Sequence, residues 1–130
     1  MTVFNTEPKK YWFDIEGGGR ICLRPLTIED WKEIRKETAK KREVFKVVDG
    51  VMQRVAWEDE DEDKQNEFFW DRVIVDWKDF VDVKGKPIPC NKKTKILLLL
   101  KSLKFVKIVT ELFNKMMEEE AKRQEELEKN

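Results

Sequence analysis

Apolar and β-prone residues open the chain's pattern in two short runs, Tyr11-Trp12-Phe13-Asp14-Ile15 and Arg20-Ile21-Cys22-Leu23-Arg24, on either side of Gly17-Gly18-Gly19. Two such runs around a glycine cluster predict a hairpin. In the second run Ile21 and Leu23 fall on one face and Arg20, Cys22 and Arg24 on the other, because strand side chains alternate. Pro25 cannot donate to the ladder and closes the strand. Ile28, Trp31 and Ile34 then recur at helical spacing. They follow Thr27, whose hydroxyl suits an N-cap, and flank Glu29 and Asp30, whose charge suits a helix N-terminus. Glu29/Lys32, Glu33/Lys36 and Glu37/Lys41 lie three or four residues apart on the outer face, and this helix is expected to fade near Lys41.

Val44 to Val48 and Val51 to Trp57 flank Asp49-Gly50, the residue pair that suits a type I′ turn, and so predict a second hairpin. Six acids, Glu58 to Asp63, follow as a solvated loop or helix entry. Phe69, Trp70, Val73, Ile74 and Trp77 form a helical stripe, with a buried strand over Val73-Ile74-Val75 as the alternative. Asp79 to Pro89 is a loop broken by Gly85, Pro87 and Pro89. Asn91 can cap a helix through Leu100, and Ser102 either starts another or lies within a continuous one. Leu103, Val106, Val109, Leu112, Phe113, Met116 and Met117 supply the apolar face of a C-terminal helix, whose residues after Glu118 are almost all polar. The expected fold is α+β: small N-terminal antiparallel hairpins in one sheet, about three or four helices, and a long C-terminal helix. Residues 1–10 read as a flexible lead-in, 11–117 as a single domain, and 118–130 as a polar helical or frayed tail.

Composition narrows the chemistry. The 130 residues hold 27 Lys+Arg, 27 Asp+Glu and no histidine. Without histidine there is no Ser-His-Asp or Cys-His machinery and no His-ligated metal. Cys22 and Cys90 are too few for a structural zinc site and are expected to be reduced. The longest apolar run, Ile96 to Leu100, is far short of the roughly 20 residues needed to cross a bilayer, and the first residues do not resemble a signal peptide, so a soluble cytoplasmic protein is expected. Asp59, Asp61 and Asp63 invite an EF-hand reading, but Lys64 and Trp70 stand where glycine and glutamate are needed. Phe80 and Pro87 likewise break a phosphate-loop reading of Gly85-Lys86. From Lys84 to Lys107 there are eight lysines and no acid, and this block faces the acids upstream and in the tail. Segregated charge of this kind can be simple solvated surface, can guide copies or partners together, or can bind phosphate. One aromatic, Phe105, among these lysines gives little for bases to stack on.

A family resemblance rests on two stretches. Val73-Ile74-Val75-Asp76-Trp77-Lys78-Asp79-Phe80-Val81-Asp82-Val83-Lys84-Gly85-Lys86-Pro87-Ile88-Pro89-Cys90, followed by Lys95 and Leu97-Leu98-Leu99, resembles a pattern of the tail assembly chaperones of long-tailed bacteriophages and prophages. Arg24-Pro25-Leu26-Thr27-Ile28-Glu29-Asp30-Trp31 resembles the opening of the same family. Asp79 departs from the pattern, which commonly carries glycine after the Trp-Lys pair. The resemblance implies a non-catalytic, self-associating protein of the bacterial host cytoplasm, absent from the mature virion. Such a protein would coat the tape measure protein and recruit tail tube protein, with no cofactor or metal.

Two residue sets are the candidates for contact. Asp76, Trp77, Phe80, Gly85, Pro87 and Pro89 form a loop that pins two helices or meets a partner directly. Val106, Val109, Leu112, Phe113, Met116 and Met117 form either core or an adaptable interaction helix, since unbranched thioethers repack readily. The rival functions are a helix-mediated protein-interaction adaptor of phage or host, and a weak phosphate- or nucleic-acid-binding module using Lys84 to Lys107.

Overall fold

The strand that organises the body lies where the pattern favours a helical stripe and offers a buried strand over Val73-Ile74-Val75 as the alternative. In the computed structural model, which describes residues 1–129, helix α2 (Glu62–Val73) stops at Val73 and the chain runs straight into strand β5 (Ile74–Lys78). The Ile74 N–H still bonds back to the Trp70 carbonyl. From Ile74 onward the backbone pairs antiparallel with β2 (Arg20–Leu23), whose other edge holds β1 (Tyr11–Asp14). The helical stripe through Trp77 therefore ends one turn early. Ile74 and Trp77 are both buried although they lie three apart, an odd spacing that a regular strand would split between its two faces. Val75, skipped between the pairs Cys22↔Asp76 and Leu23↔Ile74, is the extra residue that lets both turn inward.

The second hairpin, β3 (Ala39–Val48) and β4 (Val51–Glu60), forms its own two-stranded sheet rather than joining the first. This corrects the expectation of a single small sheet. Asp49 and Gly50 both have positive φ, 52° and 78°, as a type I′ turn requires. The strands are longer than the apolar runs suggest. They take in the lysines after Thr38 and the first three acids of the acidic block, in unbroken register from Ala39↔Glu60 to Val48↔Val51.

Helix α1 (Ile28–Thr38) opens on the expected cap, reinforced by a reciprocal bond: Thr27 Oγ accepts from the Asp30 N–H and the Asp30 carboxylate accepts from the Thr27 N–H. The helix ends before Lys41, because Ala39 is already extended and leads into β3. Asp30 also takes a two-pronged bond from Arg24 at 2.9 and 3.0 Å. Arg72 of α2 reaches Asp30 at 3.5 Å, Glu33 at 2.5 Å and Glu37 at 3.4 Å. Glu33 and Glu37 thus serve the α1–α2 contact, not the local lysine pairs that their spacing suggests. Asp61 caps α2 through the Lys64 N–H and pairs with Lys40, so the acidic block is partly strand, partly cap and partly first helical turn.

Asn91 and Thr94 cap each other at the start of α3 (Lys92–Lys101), and Ser102 ends that helix and caps α4 (Leu103–Lys129). At 27 residues α4 spans about 40 Å. The core gathers Ile21, Leu23, Val73, Ile74, Trp77, Phe105, Val109 and Met116, all buried. Cys22 is buried too, although alternation placed it with the arginines, so both faces of β2 are covered at this point. Cys22 and Cys90 are free cysteines whose thiols are pushed up by burial. Among the described residues, no helix is long and apolar enough to cross a membrane.

The ends of the chain meet. Asn5 bonds to Glu120 at 3.1 Å, Gln124 bonds to the Val3 carbonyl at 2.5 Å, and the Tyr11 hydroxyl donates to Glu120. Beyond Met117, α4 is thus continuous helix with side chains docked on the first strand and the segment before it.

Two outcomes test this packing. Tyr11 is the chain's one tyrosine, and burial, with Glu120 next, pushes its phenol up to about 12. Because the folded value is raised, its contribution to stability is complete below the unfolded value of roughly 10 and is lost as pH rises towards 12. An ultraviolet titration should show one late tyrosinate midpoint, lowered by Glu120→Gln; a midpoint near 10 in the native chain contradicts the docking of α4. The Arg24 bond, first among several, holds the Asp30 carboxyl well below the usual carboxylate range. Its contribution is complete above about pH 4 and is lost as pH falls further. Asp30→Asn should cost roughly 2–3 kcal/mol in denaturant unfolding at pH 7 and flatten the acid limb of stability; unchanged stability would contradict the bond network.

Candidate functional site

Five of the six loop residues, all but Asp76, fall into one unit built around Trp77. Its indole is buried and donates from Nε1 to the Ile88 carbonyl at 2.7 Å. Phe80 stacks on it with ring centres 5.1 Å apart, and Phe105 of α4 closes edge-on to both. The Phe80 carbonyl accepts from the Ile88 N–H at 2.8 Å, and Val81 bridges Pro87. Residues 80–88 are therefore a small hairpin-like finger laid over the Trp77 ring. Its tip turns at Gly85, φ 80°, where the Asp82 N–H reaches the Lys86 carbonyl and the Asp82 carboxylate accepts from the N–H groups of Lys84 and Lys86. A positive φ, which glycine takes without strain in a turn, is present at Gly85. So is one at Asp79, φ 61°, which launches the finger from β5.

Asp76 lies outside this cluster, exposed on β5, with its carboxylate on the Trp77 N–H. Pro87 and Pro89 are also exposed, and the Pro89 carbonyl accepts from the Thr94 hydroxyl, which ties the finger to the start of α3. The loop thus joins strand β5 to helix α3 and touches α4 through Phe80 and Phe105.

The α4 residues divide differently. Val109 and Met116 are buried, Leu112 and Phe113 pack on the core, and Phe113 meets Phe69 and Trp70 edge-on at 5.5 and 5.7 Å. This face is turned into the body, so it is not a free interaction helix. Val106 is half-buried and Met117 exposed. Leu103, expected on the same face, is exposed, and Phe105 takes the inward place.

The surface that remains apolar lies elsewhere. Leu97, Leu100 and Leu103 are exposed at the α3–α4 corner, among the exposed lysines 93, 101, 104 and 107. Lys95 leaves the lysine patch: it is buried and donates from Nζ to the Asp71 carbonyl at 3.0 Å and its carboxylate at 3.2 Å. The second surface is the β3–β4 ribbon, in which every residue is exposed. Sequence reading marked it only as a hairpin; its both-faced exposure follows from its exclusion from the body sheet. Between the Gly17 turn, the finger and α4 runs an open groove of about 250 Å³, lined by Ile15, Phe80, Ile88, Leu98, Phe105 and Ile108 with Glu16, Asp79 and Lys104. Among the described residues, no group of three or more His, Cys, Asp or Glu could hold a metal ion. No protein-family model, curated protein or solved structure matches the chain.

Gly19 tests the finger. A Cβ there would stand 2.8 and 3.0 Å from two carbons of the Phe80 ring, which Trp77 and Phe105 hold in place. Gly19→Ala should lower stability by about 1–3 kcal/mol and shift the tryptophan emission. A variant with native midpoint and emission would mean that Phe80 is not seated there.

Proposed function

We propose that this chain is a non-catalytic tail assembly chaperone of a long-tailed phage or prophage, which binds tape measure protein and associates with its own copies during tail morphogenesis. The observation that carries this reading is the finger. The resemblance spans Val73 to Cys90, and its one departure, Asp79 in place of glycine, stands at a left-handed residue with φ 61°. Glycine adopts that conformation without strain, and aspartate is among the few other residues that tolerate it. The odd residue thus keeps the backbone that the pattern's glycine favours.

The surfaces suit such a role. A tape measure protein is long and helical, and a client of that shape offers repeated apolar stripes. Leu97, Leu100 and Leu103 amid lysines would meet an acidic amphipathic helix with both apolar contact and charge. The adaptor reading loses support because Val109, Leu112, Phe113 and Met116 are engaged in the core. A nucleic-acid reading finds little to stack bases on at the lysine surface, since Phe105 is buried and the half-buried Phe68 ring is covered by Lys92 at 3.5 Å. Tail tube protein is the second partner in this proposal, the host cytoplasm is the place, and the chain leaves before the virion is mature.

Coexpression tests the reading. The tape measure protein encoded beside this chain should stay in the soluble fraction only when the chain is present, and should copurify with it. Leu97→Glu, Leu100→Glu and Leu103→Glu together should reduce copurification at least tenfold without unfolding the chain. Equal solubility of the tape measure protein with and without the chain would contradict the proposal.

A further inference from the structure

The β3–β4 ribbon is an arm with two open edges. Its ten-residue strands give it a length of roughly 30 Å, and β3 and β4 pair only with each other. An isolated two-stranded ribbon is marginal in water. This one is also apolar on both faces at its outer end: Phe45, Val47 and Met52 are 64%, 69% and 70% exposed on one face, and Val44, Val48, Val51 and Val55 line the other.

The turn fixes which backbone groups are open. In a two-residue hairpin the pair beside the turn, Val48 and Val51, exchanges its own hydrogen bonds, and the pairs then alternate. The outward N–H and C=O groups therefore belong to residues 39, 41, 43, 45 and 47 on β3 and to 52, 54, 56, 58 and 60 on β4. The Glu60 N–H agrees, being met by the neighbouring Asp59 carboxylate at 2.9 Å and not by the ladder.

Charge is divided between the edges. At its base β3 carries Lys40, Lys41 and Arg42, and β4 carries Glu58, Asp59 and Glu60. Two β3 edges or two β4 edges laid parallel set like charges side by side. Laid antiparallel, they set the charged base of one against the apolar end of the other. One arrangement avoids both. If β4 of one copy lies against β3 of the next in the register already used within the arm, Glu58 meets Lys41, Met52 meets Val47, and every outward residue faces an outward residue.

We infer that the arm is a self-pairing device: β4 of one copy adds antiparallel to β3 of a second copy, head to tail, through up to about ten backbone hydrogen bonds. The contact is heterologous, so each added copy presents a fresh edge and the assembly grows as a ring or an open array instead of stopping at two. The ion pairs Arg42–Asp59 and Arg54–Glu43 within the arm are solvent-exposed and weak, and yield to pairs across copies. This names the surface for the self-association in the proposed function, yet it rests on the arm and is independent of any tape measure contact.

Proline separates the two edges. Glu43→Pro removes an outward N–H from β3 and Ala56→Pro removes one from β4, and neither touches a bond of the inner ladder. In sedimentation velocity from micromolar to several hundred micromolar, the native chain should pass beyond dimer, and should do so less in 1 M salt than in 0.1 M. Each variant alone should remain monomeric at tenfold higher concentration, with cross-strand nuclear Overhauser contacts verifying that its arm is folded. Mixed, the two should form a one-to-one dimer and nothing larger, because each supplies the edge that the other lacks. A native chain that is monomeric throughout would overturn the inference. So would a homodimer of either folded variant, which requires a symmetrical contact, or a mixture that stays monomeric. Copurification of tape measure protein with Ala56→Pro is read separately, so loss of pairing and loss of client binding remain distinct results.

Discussion

The pairing of β5 with β2 sets the shape of everything else. It joins residues more than fifty positions apart, with Ile21 opposite Trp77, and fills the edge of β2 that a second hairpin would otherwise use. Two consequences follow. Trp77 is fixed at the end of a short sheet, where its indole anchors the finger through the Ile88 carbonyl and gathers Phe80 and Phe105 around it. Meanwhile β3 and β4 find no sheet to join and extend as a separate ribbon. The body is thus closed by aromatic packing while the arm is left open along its backbone.

Charge supports that division in two ways. Within the body, buried or half-buried ions are held by several partners: Asp30 by Arg24 and Thr27, Arg72 by three acids, Lys95 by Asp71. Such bonds fix the geometry between α1, α2 and α3, since a buried charge left without its partner costs several kcal/mol. Along the arm the ions are exposed and contribute little to stability. Their arrangement matters for selection: basic on one edge and acidic on the other, they disfavour the pairings of like edges and leave one pairing of unlike edges.

Local chemistry was legible in the sequence, and long-range pairing was not. Thr27, Asn91 and the Asp49-Gly50 turn each declared an element boundary, because caps and turns depend on a few adjacent residues, whereas Ser102 left two readings open and proves to be a boundary. Gly85 declared its turn for the same reason. Strand β5 was obscured because Phe69, Trp70, Val73, Ile74 and Trp77 satisfy a helical period whether or not the helix continues. The partners of Arg72, Lys95 and Glu120 were invisible because each bond crosses from one element to another. The candidate face of α4 was drawn one step out of phase at its start, so exposed Leu103 stood in for buried Phe105. The open edges of the arm could be recognised only once the first sheet was seen to be complete without them.

In the proposed function this chain acts through surfaces left unpaired by its own fold, and foremost through the backbone edges of the arm. Amide hydrogen exchange followed residue by residue at low and high protein concentration reads those edges directly. In dilute solution the N–H groups of Lys41, Glu43, Phe45 and Val47 should exchange quickly while those of Val44 and Val55, which face each other across the inner ladder, exchange more slowly. At high concentration the first group should become protected along with Arg54, Ala56 and Glu58. Protection that develops elsewhere, with these edge amides still exchanging quickly, would contradict the account.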